Sequence, residues 1–170
     1  MFEVKAIEMI HKYLPVAVNE PKNPVGRDGM AVAQYVAGMA FSNVGLGVDH
    51  GMAHPLSALF DVPHGVACAM LLPTVMRFNM PAAMEKYVDI AKACGVYENG
   101  MTTEQAAEAA CKAIEDLSAL VGTNKRLTEL GITEKNIEAL AEQAINDVCT
   151  PGNPRPVTKQ DIIDLYHKIL

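Results

Sequence analysis

A chain of 170 residues, half of them hydrophobic, is long enough to bury a substantial core, and we expect a single domain. The net charge of -6 and the absence of a basic stripe argue against nucleic acid or an anionic membrane surface as a partner. No window is uninterruptedly apolar over the length of a membrane span, and the N-terminus lacks a basic-then-apolar signal region. These observations predict a cytoplasmic protein that does not contact membranes.

The first part of the chain predicts two helices. Apolar residues recur at helical spacing from Phe2, and this pattern fades near Pro15. The polar segment Asn19–Gly29 is typical of a loop, and a second helix is expected over Met30–Asn43. Small residues on that helix would let a neighbouring helix approach closely and would place it in the centre of the fold: Gly38, Ala40 and Ser42.

Three of the five histidines lie in the next stretch, HGMAHPLSALFDVPHG, which begins at His50. A helix over Asp49–Phe60 would place His50 and His54 one turn apart on the same face. His64 follows a proline break and opens another apolar segment. Imidazoles brought together from two successive helices are suitable ligands for Fe²⁺ or Zn²⁺. The stretch therefore predicts a metal site that still lacks some of its ligands.

The same stretch argues against a metalloprotease. A zincin carries a glutamate next to its first histidine, as HExxH, and here Gly51, Met52 and Ala53 separate the two histidines. A single histidine in a sequence this apolar is usually a hydrogen-bonded core or surface residue. Three within fifteen residues, flanked by small residues, favour a functional site instead.

The second half of the chain predicts further helices and almost no strands. Thr102 and Gln105 form a capping-box pattern before an apolar run that Gly122 ends, Thr133 begins another helix, and Thr158 begins the last. No apolar stretch alternates with a period of two residues for long. The fold class is therefore expected to be all-α, a bundle of about seven to nine helices, with the three histidines converging at one edge: His50, His54 and His64.

The cysteines and methionines do not indicate a second kind of site. The four cysteines are widely spaced and form no CxxC pair, so we expect buried free thiols rather than disulfides or a zinc cluster: Cys68, Cys94, Cys111 and Cys149. The ten methionines are most simply residues that fill the core.

Two long segments resemble a known family. The segment GMAFSNVGLGVDHGMAHPLSALFDVPHGVACAMLLPTVMRFN and the final block CTPGNPRPVTKQDIIDLYHKIL look like the signatures of the iron-containing, or group III, alcohol dehydrogenases. The resemblance is strongest to the lactaldehyde reductase and propanediol dehydrogenase branch and runs over essentially all 170 residues. It implies that the chain is the helical, metal-binding C-terminal domain of such an enzyme.

The resemblance also implies roles for particular residues. His50 and His64 match two metal ligands of the family, which carries two more, an aspartate and a histidine, in the part that precedes this domain. His54 matches a position beside the nicotinamide and is the candidate for proton relay. Phe41 and Cys149 match positions that line the cavity. The implied cofactors are Fe²⁺, with Zn²⁺ possible, and NAD or NADP, and the implied substrate is a short-chain alcohol or aldehyde.

The sequence contains no glycine-rich GxGxxG turn between a strand and a helix. We therefore expect the N-terminal nucleotide-binding domain of the family to be absent from this chain and the chain alone to be inactive. An apolar face left open by that domain would favour a homo-oligomer, such as a dimer. Two other functions stay open: a stand-alone helical interaction module without catalysis, and a metal-dependent hydrolase.

The remaining candidate residues are expected to have structural roles only. Asp49 is expected to be a solvent-facing or capping carboxylate, because adjacent helix positions point about 100° apart. Asp61 is expected in a turn or helix cap, and Phe60 in the core. His11 lies on a charged helix face and His167 in the last turn of the last helix, and neither is expected to be functional.

Overall fold

The computed structural model describes residues 1–170 and is built from helices, without strands. Seven α-helices and two short 3-10 turns, Leu127–Leu130 and Thr150–Gly152, agree with the expected seven to nine elements and confirm the all-α class. The α-helices are α1 Phe2–Asn19, α2 Pro24–Val44, α3 Val48–Phe60, α4 His64–Ala93, α5 Thr103–Leu120, α6 Glu134–Ile145 and α7 Lys159–Ile169.

The chain divides into two compact units. Unit 1 contains residues 1–44 and 83–121, which hold α1, α2, the last part of α4 and α5. Unit 2 contains residues 45–82 and 122–170, which hold α3, the first part of α4, α6 and α7. This division into two compact units does not test the expectation of a single domain, which stays a prediction.

In unit 1, α1 packs against α2 through two glycines of α2. A Cβ at Gly26 would lie 2.8 Å from the backbone nitrogen of Ala17, and a Cβ at Gly29 would overlap the ring of Tyr13. The two helices can approach this closely only because these positions carry no side chain.

Two details of the sequence prediction for this region were wrong. α1 continues through Pro15 to Asn19, and α2 already begins at Pro24, inside the segment expected to be a loop. Asn23 explains the early start, because its side-chain oxygen accepts the N–H of Val25 at 2.9 Å and proline is well suited to a first helical turn.

The small residues expected to allow close approach on α2 differ from one another in their surroundings. A Cβ at Gly38 would meet nothing within 4 Å and Ser42 is exposed, whereas Ala40 is buried. Only Gly26, Ala33 and Ala40 of α2 are buried. The expectation that α2 is a central helix is therefore not met within this unit.

The expected helix caps in the second half of the chain are present. Thr102 and Thr158 each accept a backbone N–H three residues later with the side-chain oxygen, and Thr133 donates its own N–H to Asn136. Gly122, after α5, and Gly131, before α6, have φ values of 75° and 78°, which residues with a side chain rarely adopt. These local signals fix the helix ends, so the sequence predicted them correctly.

The core of unit 2 is formed by α3, the first part of α4, α6 and α7. α3 packs against α6 and against the turn Thr150–Gly152, and α6 packs against α7. Tyr166 of α7 is fully buried, and its hydroxyl donates to the carbonyl oxygen of Met52 in α3 at 2.7 Å. The largest fully buried side chains include, besides Tyr166, Met52, Leu56, Leu71, Leu127, Ile132, Ile137, Leu140, Ile162 and Leu165.

Helix α4 is long, apolar and broken. It is non-helical at Ala83 (φ −143°, ψ 27°), where the chain passes from unit 2 to unit 1. By length and mean hydropathy (1.2) alone it is the one helix that meets the criteria for a membrane span. Core helices of soluble proteins meet the same criteria, and Ala67, Leu71 and Val75 of α4 belong to the buried core of unit 2.

We expect Tyr166→Phe to lower the free energy of unfolding by about 1 kcal/mol, because the ring is kept and one buried hydrogen bond is lost. Urea unfolding followed by circular dichroism measures the change. Tyr35→Phe is the matched control, since the same hydroxyl is removed from a side chain that is 63% exposed in α2. Equal stability of the two variants would show that the Tyr166–Met52 hydrogen bond adds nothing to stability.

Candidate functional site

The local structure around the histidine stretch follows from its sequence. α3 begins at Val48, whose N–H donates to the side-chain oxygen of Asn153 at 3.4 Å. The helix ends at Phe60 and is followed by the cap residue Asp61, which is left-handed with φ 53°, and α4 begins at His64. The predictions that Asp61 caps a helix and that a new helix starts at His64 are confirmed. This short connection turns the start of α4 back toward α3.

The three imidazoles lie together as a result. The ring centroids of His50 and His64 are 5.3 Å apart, those of His54 and His64 are also 5.3 Å apart, and those of His50 and His54 are 6.1 Å apart. His54 and His64 are stacked, with an angle of 20° between their planes. The convergence expected from the sequence is therefore present.

The donor atoms near these rings form two groups, each with all of its atoms within 4.8 Å of one another. The first contains His50, His64 and Cys68, and the second contains His54, Asp147 and Cys149. His54 thus groups with residues near the end of α6, while His50 and His64 group with each other across the α3–α4 connection.

The pair His50 and His64 meets the chemical requirements of a borderline divalent metal. Two imidazole nitrogens come from successive helices, and one face of the pair is partly open, since His50 is 29% exposed and His64 is exposed. Burial, followed by the neighbouring His64 and His54, lowers the pKa of His50 and favours its neutral form, which is the form that binds metal. These residues therefore fit an iron or zinc ion, for which they would supply two ligands.

Cys68 is a weak competitor for that ion. Its sulfur lies 3.7 Å from Nε2 of His64. Burial, followed by the nearby carboxyl group of Asp49, raises the pKa of the thiol to about 12. Because the thiolate is the form that binds metal, this thiol is poorly suited to serve as a third ligand.

Asp49 is not the solvent-facing residue expected from the sequence. It lies in the first turn of α3, but its side chain is only 14% exposed and its Oδ1 atom is buried without a hydrogen-bond partner. Burial raises the pKa of this carboxyl group to about 7, against a smaller opposing effect of the Cys68 hydrogen bond. The prediction failed because helical spacing shows on which face of α3 a residue lies but not which other segment of the chain covers that face.

His54 is held by a carboxylate. Its Nδ1 atom lies 2.7 Å from Oδ2 of Asp147, which is 16% exposed. Burial acts to raise the pKa of Asp147, but the backbone N–H of Cys149 and the hydrogen bond to His54 outweigh burial and lower it. The carboxylate is therefore ionised beside the imidazole at neutral pH.

Helix α3 reaches Asp147 because Gly51 has no side chain. A Cβ at Gly51 would overlap the hydroxyl of Thr150 and would lie 3.2 Å from the carbonyl oxygen of Ala144. That hydroxyl is buried and donates to the same Ala144 carbonyl at 2.6 Å, which fixes the end of α6. The glycine between the two histidines of α3 is thus required for packing.

The NPR segment of the last block supports the same region. Asn153 and Asn79 of α4 exchange two side-chain hydrogen bonds of 2.7 and 2.9 Å. The guanidinium of Arg155 donates to the carbonyl oxygen of Phe78 at 2.9 Å and lies over its ring at 4.0 Å. A Cβ at Gly152 would overlap the carbonyl oxygen of Leu46, just before α3. The block therefore links the start of α3 to α4.

The other predicted positions are distributed as follows. Cys149 belongs to the group around His54, whereas Phe41 lies on α2 in unit 1 and is 48% exposed. Phe60 packs against the core of unit 2, as expected. His167 lies in the last turn of α7, where Nε2 is 2.9 Å from a carboxylate oxygen of Glu134. All four cysteines are free, but only Cys94 and Cys111 are buried, while Cys68 and Cys149 are partly exposed.

The sequence analysis missed three residues of the site: Asp147, Thr150 and Asn153. Asp147 is 93 positions away from His54, and no local pattern marks it as a partner. The TPGN segment offered an indication, because a Pro-Gly turn directly after a helix places polar side chains near the end of that helix.

Comparisons with known proteins show the family of the chain. The model of the Fe-containing alcohol dehydrogenase family, C-terminal, matches residues 1–170. The chain belongs to this family. It is 51% identical over 164 residues to lactaldehyde reductase of Escherichia coli (strain K12), and 42% identical over 165 residues to 1,3-propanediol dehydrogenase of Citrobacter freundii. The resemblance noted in the sequence is thereby confirmed.

The relatives are longer than this chain. The two matches cover 96% and 97% of the chain but only 42% and 43% of the relatives. A solved structure of 1,3-propanediol oxidoreductase superposes with a TM-score of 0.95 at 41% identity and covers 98% of this chain and 44% of that one. The chain therefore spans less than half the length of the family members it matches, and the fold is that of their matching part.

We expect Gly51→Ala to lower the free energy of unfolding by about 1–3 kcal/mol, because the methyl group has no space between α3 and the Thr150 turn. Urea unfolding measures the loss. Gly65→Ala, in the first turn of α4, is the matched control, since a Cβ there would meet nothing within 4 Å, and we expect a change within about 0.5 kcal/mol. A Gly51→Ala protein as stable as the control would contradict the close packing described here.

Proposed function

We propose that this chain supplies two metal ligands and a proton-transferring histidine to an iron-dependent alcohol dehydrogenase or aldehyde reductase. Such an enzyme transfers hydride between NAD or NADP and a short-chain alcohol or diol of the lactaldehyde or propanediol type. The observation that carries the proposal is the convergence of His50 and His64 from two successive helices, in a chain that belongs to the Fe-containing alcohol dehydrogenase family.

The roles follow from the two groups of donor atoms. His50 and His64 would hold Fe²⁺, or Zn²⁺ in its place, through neutral imidazole nitrogens. A metal ion held there would supply polarisation of the substrate oxygen, and a nicotinamide bound to the whole protein would supply or accept the hydride. His54 is hydrogen-bonded to Asp147 through Nδ1 and is the residue to exchange a proton with the substrate oxygen. Cys149, beside His54, and Phe41 are proposed to line the cavity for substrate and nicotinamide.

Partners and location belong to the same proposal. The similarity to lactaldehyde reductase and 1,3-propanediol dehydrogenase supports a small alcohol or aldehyde as the substrate. The nucleotide would bind to a part of the protein outside these 170 residues. A homo-oligomer in the cytoplasm is proposed for the whole protein.

Metal titration tests the assignment of the ligands without any turnover. Adding Zn²⁺ to the 170-residue chain in a calorimeter should give one site. His50→Ala and His64→Ala each remove a metal ligand. Each should therefore weaken zinc binding by more than the roughly 10–100-fold that follows from loss of a residue that only hydrogen-bonds to a ligand. His54→Ala should leave the affinity nearly unchanged.

His167→Ala is the control for this series. It removes an exposed imidazole that is paired with Glu134 and lies far from His50 and His64 in the sequence. It should leave zinc affinity unchanged. Loss of zinc in His54→Ala together with full binding in His50→Ala would reverse the assignment of the ligands.

The 170-residue chain supplied with Fe²⁺ and NADH should not reduce lactaldehyde above the background of the buffer. Two imidazoles leave an incomplete ligand set, and these residues contain no glycine-rich turn to hold the cofactor. Oxidation of NADH followed at its absorbance band measures the rate, with a full-length lactaldehyde reductase as the positive control. A rate comparable to that control would contradict the need for further residues.

A further inference from the structure

We infer that Asp147 is a positioning residue for His54: its carboxylate accepts the Nδ1 proton of the imidazole and so keeps the lone pair on Nε2 available for proton exchange. The inference rests on the proposed function for the role of His54 in proton exchange. The tautomer of His54 follows from its hydrogen bond to Asp147 alone. Asp147 was not among the residues that the sequence indicated.

The contact has the geometry of a strong hydrogen bond. Nδ1 of His54 and Oδ2 of Asp147 are 2.7 Å apart, at the short end for a bond between a nitrogen and a charged oxygen. Neutral imidazole carries one proton, and an ionised carboxylate can only accept. The pair therefore selects the tautomer with the proton on Nδ1, and Nε2 is left as an acceptor.

Asp147 is itself fixed by its own turn. Its second oxygen, Oδ1, accepts the backbone N–H of Cys149 at 2.8 Å, and its carbonyl oxygen accepts the N–H of Thr150 at 3.1 Å. The side chain is only 16% exposed. With both carboxylate oxygens occupied, the side chain cannot turn away from His54 without breaking a hydrogen bond.

The position of His54, the other residue of the pair, is fixed by the packing of α3. Gly51, one turn before His54, lies against the Thr150 hydroxyl with no space for a side chain. The distance between α3 and the Asp147–Thr150 turn is thus set by the contact of Gly51 with the Thr150 side chain, three residues from each partner of the hydrogen bond. A pair fixed by packing in this way is what orientation of a reactive imidazole requires.

A metal ion held by His54, Asp147 and Cys149 is the competing interpretation, because their donor atoms also lie within 4.8 Å of one another. Two ligands of a tetrahedral zinc ion, each about 2.0–2.1 Å from it, are separated by roughly 3.3 Å. The observed 2.7 Å is shorter and matches a hydrogen bond. Burial, followed by Asp147, also raises the pKa of the Cys149 thiol, which disfavours the thiolate that a metal needs.

In the proposed reaction this arrangement specifies which nitrogen exchanges the proton. During alcohol oxidation the O–H bond of the substrate breaks and an N–H bond forms at Nε2, while the Nδ1–H stays on the ring and bonded to Asp147. In aldehyde reduction the same proton returns from Nε2 to the substrate oxygen. Asp147 touches neither substrate nor cofactor and acts through the ring of His54.

The tautomer is measured directly by long-range ¹H–¹⁵N NMR of the 170-residue chain labelled with ¹⁵N-histidine, at a pH of about 8.5, where imidazoles of ordinary pKa are neutral. His54→Gln identifies the His54 signals by their disappearance. In the wild-type chain, we expect Nδ1 to be the protonated nitrogen and Nε2 the unprotonated one. A wild-type spectrum with the proton on Nε2 would overturn the inference without any further variant.

Asp147→Asn supplies the causal test. The amide can also donate, so the preference for Nδ1–H should be lost and the signals of Nδ1 and Nε2 should move toward those of a free imidazole. Asp147→Glu should restore part of the preference, because it keeps the carboxylate. A backbone amide spectrum that matches the wild type outside the Asp147 turn shows that the variant is folded. An unchanged tautomer in folded Asp147→Asn would refute the inference.

Addition of Zn²⁺ to the same labelled chain separates this inference from the metal assignment. The signals of His50 and His64 should shift, while the Nδ1–H of His54 should persist. If zinc instead removes that proton and Cys149→Ser abolishes the effect, the cluster is a metal site and the positioning role falls. If zinc shifts none of the histidines while the His54 tautomer is as expected, the inference on Asp147 stands and the metal proposal fails.

Discussion

The site depends on the close contact of one glycine in α3 with the end of α6 and the turn that follows it. α3 can lie against the turn that follows α6 only because Gly51 presents a hydrogen atom to the Thr150 hydroxyl and the Ala144 carbonyl. That contact sets where His50 and His54 project, since both are on the same helix within one turn of the glycine. The imidazole geometry is therefore a consequence of helix packing, and the hydrogen bond to Asp147 completes an arrangement that the backbone has already set.

Local signals in the sequence were sufficient for the fold class and for half of the site. Capping residues and helical periodicity act within a few positions, so the starts of α4, α5 and α7 were predicted correctly. The convergence of His50, His54 and His64, which lie within fifteen positions, was also predicted, while their roles stay predictions. Asp147 was not predictable in this way, because it meets His54 only after two distant segments have packed together.

The failures at Asp49 and in α2 have a similar cause. Burial of Asp49 arises from the residues that cover the first turn of α3, and helical spacing does not report them. In α2 the small residues Gly38, Ala40 and Ser42 suggested close packing, and only Ala40 of the three is buried. The close contact with α1 forms at Gly26 and Gly29, near the early start of the helix at Pro24. Composition indicates where close approach is allowed, while the partner helix decides where it occurs.

The break in α4 has a consequence for how the protein reaches its folded state. Because the chain leaves unit 2 at residue 83 and returns at 122, the segments that carry His54 and Asp147 must find each other across a long intervening loop. Closing such a loop lowers the conformational entropy of the chain before any contact stabilises the closed state. Each doubling of loop length adds only roughly 0.6 kcal/mol to the free-energy cost of closure. Helices such as α5 can form from local contacts alone, whereas the histidine cluster depends on contacts of high sequence separation. The His54–Asp147 pair thus requires closure over 93 positions, and a nascent chain can form it only after residue 147 has left the ribosome.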